Sequence, residues 1–181
     1  MHPDLVERAR LFATAAHAAI DQRRKYSGAP YIEHPEAVAR LVAEHGADEV
    51  MIAAAWLHDV VEDTEVSLEL VSEEFGKEVS DLVDALSDLQ TAEDGNRRVR
   101  KQRAAERLAQ ADPRAQTIKY ADLIHNTSSI VRHDRGFAYI YLEEKRYLLE
   151  MMTQGEPGLR QKAFQMLEVA EGELSSPRRC S

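Results

Sequence analysis

The sequence predicts an all-α fold, a compact helical bundle formed by a single domain. Three observations carry that prediction. Apolar residues recur three and four apart along most of the chain, the spacing of amphipathic helices. Glycine and proline are sparse, eight and six in 181 residues, and fall between the periodic stretches. No segment alternates apolar and polar residues as a half-buried strand would.

Each element has its own signal. Pro3-Asp4 opens a first helix that carries Leu5, Ala9, Phe12, Ala13, Ala16 and Ile20 and closes before a polar loop, 21–30, holding Arg23, Arg24 and Lys25. Pro35 suits a first helical position, where its missing N–H would be unpaired anyway. Val38, Leu41 and Val42 give that second helix its buried stripe, and Gly46 ends it. Asp48 is an N-cap for a strongly apolar helix running through Trp56 to about Glu62. Its Ala53-Ala54-Ala55 run predicts close packing at the centre of the domain. Ser67 caps a short helix that stops at Gly76, and Val79, Leu82, Val83 and Leu86 mark the next by their i, i+3, i+4, i+7 spacing. Gly95 lies in the following break. Asp112-Pro113 pairs a cap with a first-position proline and starts a helix through Ile118, Ala121 and Ile124 to about Ile130. Two more helices, roughly 138–152 and 159–173, flank Gly155-Glu156-Pro157-Gly158. Residues 1–174 are expected to form the domain, and 175–181 a flexible C-terminal tail.

The formal net charge is −9, with 44% hydrophobic and 30% charged residues, values of a globular chain that can bury a sizeable core. The longest apolar run, Val50 to Leu57, is eight residues, far short of a membrane span. The start of the chain has neither a basic nor an apolar leader region, so a cytoplasmic location is expected. A single cysteine, Cys180, leaves no disulfide framework and no thiolate metal cluster; any metal must use histidine and carboxylate. An acidic surface repels nucleic acid and anionic membranes, so neither is expected as a partner, and a phosphorylated ligand needs a local basic patch. The segment 97–107 is the sharpest reversal of sign, with six basic residues and one acid, Glu106. It is either a solvated helix face or a mobile flap over distal phosphates. The oligomeric state stays open.

Chemistry concentrates on two predicted helices. His58, Asp59, Glu62 and Asp63 fall within one polar arc of the apolar third helix, at about 0°, 100°, 40° and 140° on the wheel. An adjacent His-Asp pair at a helix C-terminus can give two ligands to a divalent cation, which the helix dipole also favours there. His34 at the start of the second helix and Asp122 on the Asp112-capped helix supply two more. Lys119, Asp122 and Asn126 lie within roughly 60° of arc on that helix. Such a stripe is costly inside a core unless a site uses it. Two His and two Asp form a mixed nitrogen and oxygen set suited to Mn²⁺, Fe²⁺ or Zn²⁺.

In order, His34, His58-Asp59 and Asp122 resemble the HD-domain metal-dependent phosphohydrolases. The resemblance narrows with Arg24-Lys25-Tyr26-Ser27-Gly28-Ala29-Pro30-Tyr31-Ile32-Glu33-His34-Pro35, His58-Asp59-Val60-Val61-Glu62-Asp63-Thr64, Phe75-Gly76 and Ile118-Lys119-Tyr120-Ala121-Asp122-Leu123-Ile124-His125-Asn126. These blocks resemble the hydrolase domain of the RelA/SpoT alarmone enzymes, whose stand-alone members are the small alarmone hydrolases. The resemblance implies a single HD-domain helical bundle over 1–174. It also implies one divalent ion, usually Mn²⁺, held by His34, His58, Asp59 and Asp122. Glu62 and Asp63 would position or activate the attacking water. Arg24, Lys25, Lys119 and Asn126 would contact a nucleotide substrate. Ser87 stands where many members carry Thr, a departure that keeps the hydroxyl. The implied reaction cleaves the 3′-diphosphate from (p)ppGpp, giving pyrophosphate and GDP or GTP. Alternatives keep the site and change the substrate, to (p)ppApp or the 2′-phosphate of NADPH. From another class, a nucleotide sensor without turnover would not need the full set of His34, His58, Asp59, Glu62, Asp63 and Asp122, and a helical adaptor leaves the Lys119-Asp122-Asn126 stripe unexplained.

Overall fold

The computed structural model describes residues 4–175, the side chain of Ser129 excepted. Among these residues the chain forms ten α-helices: α1 (Leu5–Ala19), α2 (Glu33–Glu44), α3 (Glu49–Leu57), α4 (Val60–Asp63), α5 (Leu68–Phe75), α6 (Lys77–Leu86), α7 (Arg97–Ala109), α8 (Pro113–His133), α9 (Arg135–Met151) and α10 (Pro157–Ser175). The described residues contain no strand, only an isolated bridge between Arg23 and Pro30. No helix among them is long and apolar enough to cross a membrane.

Short polar side chains fix where several helices begin, by accepting backbone N–H groups that the first turn leaves free. Asp4 accepts from Glu7 at 2.8 Å, Asp48 from Met51 at 2.8 Å, Ser67 from Leu70 at 3.2 Å and Asp112 from Arg114 at 2.9 Å. Helix α3 is apolar on every side, as a helix must be when neighbours surround it. Ala53, Ala54, Ala55 and Leu57 are wholly buried, and α3 packs against α1, α2, α6 and α8. Helix α8 is the second axis; it touches α2, α6, α7, α9 and α10 and buries Ile118, Tyr120, Ala121 and Leu123. One continuous apolar cluster runs from Ala9 to Leu174.

Four boundaries differ from the sequence expectation. Helix α2 starts at Glu33, so Pro35 is its third residue rather than its first; the N–H it lacks is still among the four that a helix start leaves unpaired. The apolar helix does not run on to Glu62. It stops at Leu57, and α4 begins after His58 and Asp59. The Ala55 carbonyl, which a continuing helix would offer to the Asp59 N–H, accepts the His58 ring at 2.7 Å; a side chain competes with the helix ladder there. Pro157 and Gly158 belong to the first turn of α10, where proline is tolerated. Ser175 ends α10 rather than starting a tail; residues 176–181, Cys180 among them, lie outside the described residues. Segment 97–107 lies within α7, packed on α9, α6 and α8, rather than forming a free flap. Arg97 pairs with Glu144, Lys101 with Asp88 and Arg107 with Asp84, while Arg103 bonds the Asp94 carbonyl.

The α9–α10 connection is tied to α8. The Tyr120 hydroxyl donates to the Met152 carbonyl at 2.9 Å, and the Thr117 hydroxyl accepts the Glu156 N–H at 2.9 Å. Gly155 sits against that junction: a Cβ there would lie 2.5 Å from the Tyr120 ring and 2.9 Å from the Thr117 nitrogen. Gly155→Ala is therefore expected to destabilise the fold by about 1–3 kcal/mol in urea denaturation. Gly172→Ala, on an exposed helical position with open space for a methyl, is expected to be neutral or stabilising by up to about 1 kcal/mol.

Candidate active site

The break between α3 and α4 turns His58 and Asp59 toward the start of α2 and the middle of α8. His34, at the second position of α2, is fully buried, and so in effect is His58. Their Nε2 atoms lie 3.3 Å apart. Asp59 Oδ2 is 3.1 Å from His58 Nε2 and 3.6 Å from His34 Nε2, so three ligand atoms fall within 4.8 Å of one another. Asp122 joins from α8, its Oδ1 3.2 Å from His34 Nε2. His34, His58 and Asp59 thus offer three ligand atoms that lie together, and Asp122 joins them through its contact with His34.

Hydrogen bonds outside this cluster orient each member. The His58 Nδ1–H donates to the Ala55 carbonyl, which directs Nε2 inward. His34 Nδ1 shares a 2.8 Å hydrogen bond with His125 Nδ1. The Tyr31 hydroxyl donates to Asp59 Oδ2 at 2.6 Å. Asp122 Oδ2 pairs with Lys119 at 2.6 Å, and its Oδ1 accepts the Asn126 amide at 2.6 Å. Arg24 in turn donates to Asn126 Oδ1 at 3.0 Å.

Electrostatics follow from this geometry. Burial opposes ionisation of Asp122, but Lys119 and the His34 imidazole more than offset it and hold the carboxyl well below the usual range. Asp59 is likewise lowered against its burial by His58. Burial opposes charge on His58 too, yet the Asp59 carboxylate raises its pKa to about 9. Burial lowers His34, and with the neighbouring His34 and Arg24 it brings His125 down to about 4. The cluster is thus a locus of negative potential with two imidazole Nε2 atoms aimed into it. At most one proton fits between two Nε2 atoms 3.3 Å apart, whereas a divalent cation can draw on both nitrogens and on the Asp59 carboxylate. The donor set and its oriented outer hydrogen bonds fit such an ion.

Two cavities adjoin the cluster. The smaller, about 240 Å³, is lined by the carboxylates Asp59, Glu62, Asp63 and Asp122 and by Lys101, Lys119 and Lys145. Glu62 and Asp63 stand on α4, beyond the break, and still reach it. Glu62 accepts the Asp88 N–H at 2.9 Å, and burial raises its pKa. Asp63 accepts the Gln22 amide at 2.8 Å. The larger cleft, about 610 Å³, runs from Asp63 past Arg24, Tyr31 and Asn126 to Tyr26, His133 and Phe137. Tyr26 stacks on His133 at 5.0 Å, and Lys25 lies over Tyr26 at 5.1 Å.

The four residues expected to contact substrate are not all alike. Arg24 and Asn126 are joined by a hydrogen bond in the larger cleft, Lys25 sits farther out among aromatic rings, and Lys119 lines the smaller cavity while pairing with Asp122. Sequence reasoning passed over Tyr31 and His125, both inside the quoted blocks, because neither carries a signal beyond its residue type. It also passed over Lys145. That half-buried lysine on α9 has no carboxylate within ion-pair distance among the described residues, and burial with the nearby Lys119 and Lys101 lowers its pKa to about 8. Nothing in an amphipathic helix pattern singles it out.

The chain is similar to several known proteins. A guanosine-3′,5′-bis(diphosphate) 3′-pyrophosphohydrolase of Aquifex aeolicus is 33% identical over 145 residues, 80% of this chain and 19% of that protein. A protein of the same designation from Mus musculus is 38% identical over 121 residues, 65% of this chain and 66% of that one. The chain spans less than a fifth of the length of the bacterial relatives that it matches. The solved structure of a metazoan ortholog of SpoT that hydrolyses ppGpp superposes with a TM-score of 0.82 at 26% identity, covering 93% of this chain and 97% of the other. The HD domain family model matches residues 9–139, a stretch that contains both histidines and both aspartates of the cluster, and the chain therefore belongs to the HD-domain family.

Proposed function

We propose that this protein is a metal-dependent pyrophosphohydrolase that removes the 3′-diphosphate of guanosine alarmones, (p)ppGpp, releasing pyrophosphate and GDP or GTP. The observation that carries the reading is the smaller cavity, which brings Asp59 and Asp122 of the cluster together with the Glu62-Asp63 pair and with Lys101, Lys119 and Lys145. Support comes also from the likeness to a metazoan ortholog that hydrolyses ppGpp and from the names of the curated relatives.

His34, His58, Asp59 and Asp122 would hold the divalent ion, which we assign as Mn²⁺. Once bound, the ion supplies polarisation of a phosphoryl oxygen and acidification of water. In this reading the attacking water forms a bond to the phosphorus attached to the ribose 3′ oxygen, and the P–O3′ bond breaks. Glu62 and Asp63 face that position as a pair. One accepts the water's proton and the pair returns a proton to the departing 3′ oxygen; Glu62, with its raised pKa, is the better donor. Lys101, Lys119 and Lys145 hold the leaving diphosphate. Arg24, Lys25 and Asn126 take the nucleoside side in the larger cleft. The reading places the catalytic unit at residues 1–174, its partner as a small nucleotide rather than nucleic acid or membrane, and its location in the cytoplasm.

The direct test measures pyrophosphate from ppGpp and ppApp, and phosphate from NADPH, with Mn²⁺ and after chelation. Metal-dependent pyrophosphate from ppGpp, lowered on the order of 10³-fold by Asp59→Ala, is expected, since a metal contributes several kcal/mol of transition-state stabilisation. Release from ppApp or NADPH alone would replace the substrate, and no release from any of the three would overturn the reading. His125→Phe is expected to weaken Mn²⁺ binding about 10- to 100-fold in calorimetric titration, because it removes the partner that orients His34. Lys145 is charged below about pH 8 and neutral above it. KM for ppGpp should therefore rise as pH increases through 8, and Lys145→Arg, whose side chain stays charged, should remove that step.

A further inference from the structure

Asp63 is held by a chain of hydrogen bonds that begins at a buried histidine in the last turn of α1. After Ala19 the backbone reverses through Asp21, whose φ of +46° lies in the left-handed region that few non-glycine residues adopt. The reversal returns Gln22 to the end of α1. Its N–H donates to the His17 carbonyl at 3.1 Å, and its own carbonyl accepts the Tyr31 N–H at 3.1 Å. The two side chains meet with His17 Nδ1 2.6 Å from Gln22 Oε1, and Gln22 Nε2 then reaches Asp63 Oδ2 at 2.8 Å.

The polarity of this chain is determined. An ionised carboxylate only accepts, so Gln22 must present its NH₂ to Asp63 and its oxygen to His17. That oxygen needs a donor, so His17 carries a proton on Nδ1. The ring is buried, packs against Tyr31 at 4.8 Å between centroids, and its Nε2 has no hydrogen-bond partner among the described residues. A buried nitrogen without a partner is unusual in a residue kept only for packing. Asp63 itself is exposed, on a helix of four residues, and little else fixes its direction.

We propose that Gln22 and His17 are positioning residues for the reaction: Gln22 aims the Asp63 carboxylate into the cavity beside the metal cluster, and His17 locks the Gln22 amide in the orientation that does so. The inference rests on the functional reading above for what Asp63 faces, and on hydrogen-bond chemistry alone for the relay. Gln22→Met, which keeps the shape and removes both polar ends, lowers kcat about 10- to 100-fold while KM and Mn²⁺ affinity stay within about twofold. Gln22→Glu sets a second carboxylate against Asp63 and lowers kcat further. His17→Phe lowers kcat as well, whereas His17→Asn, whose side-chain NH₂ can take the place of the ring Nδ1–H, restores most of it.

The experiment is steady-state pyrophosphate release from ppGpp by these four variants, with Mn²⁺ titrations and the ¹⁵N spectrum of the His17 ring in the wild type. The expected spectrum shows a protonated Nδ1 and a bare Nε2. Wild-type kcat in Gln22→Met, parallel loss of kcat, KM and metal affinity in all four variants, or a ring protonated on Nε2 alone would each overturn the proposal. If the wild type turns over none of the nucleotides, the functional reading fails by itself. The nitrogen spectrum then decides the relay, a bare Nε2 supporting it and an Nε2–H overturning it.

Discussion

A carboxylate inside a helical bundle must find donors, and Asp122 finds them on several elements at once. Lys119 and Asn126 approach along its own helix, and His34 comes from α2. Arg24 adds the loop after α1 by holding Asn126. Leaving any of these polar groups unmatched in the interior would cost a few kcal/mol. That requirement fixes how α2, α8 and the loop sit relative to one another, so the chemistry of the site is also part of what positions the bundle.

The second constraint is the interruption at His58 and Asp59. An unbroken helix would have spread His58, Asp59, Glu62 and Asp63 along one edge. With the Ala55 carbonyl given over to the imidazole, the backbone turns, His58 points inward and Asp59 remains at the mouth. The cluster residues and the Glu62-Asp63 pair thus come from the junction of two consecutive helical segments. The Tyr31 hydroxyl fastens the outer of the two ligands, and the same ring lies against His17 and 5.8 Å from the Arg24 guanidinium, so cluster and cleft share a wall.

Periodicity and caps made the helices legible, because apolar spacing and short polar side chains act locally: Asp48, Ser67 and Asp112 cap where they were expected to. The boundaries that differed are those decided by a side chain or by packing. The His58 ring ends α3, and Pro157 continues a first turn rather than preventing one. The four-residue cluster was legible because His34, His58, Asp59 and Asp122 recur in a recognisable order. Gln22, His17 and Lys145 were not, since a glutamine in a polar loop, a histidine on an amphipathic helix and a lysine among charged neighbours look ordinary until the fold links the first two to Asp63 and sets the third in the cavity wall.

The three alanines of α3 carry a consequence for inherited variation. Each is completely buried in a helix packed against α1, α2, α6 and α8, and such interiors leave few voids. A larger side chain at any of them would push neighbouring helices apart and move the turn that bears His58 and Asp59. Substitutions there would act on the site through packing alone, at a cost of about 1–3 kcal/mol. Among alleles of such a gene, the intolerance of Ala53, Ala54 and Ala55 would record the closeness of the packing beneath the site and assign those residues no part in the chemistry.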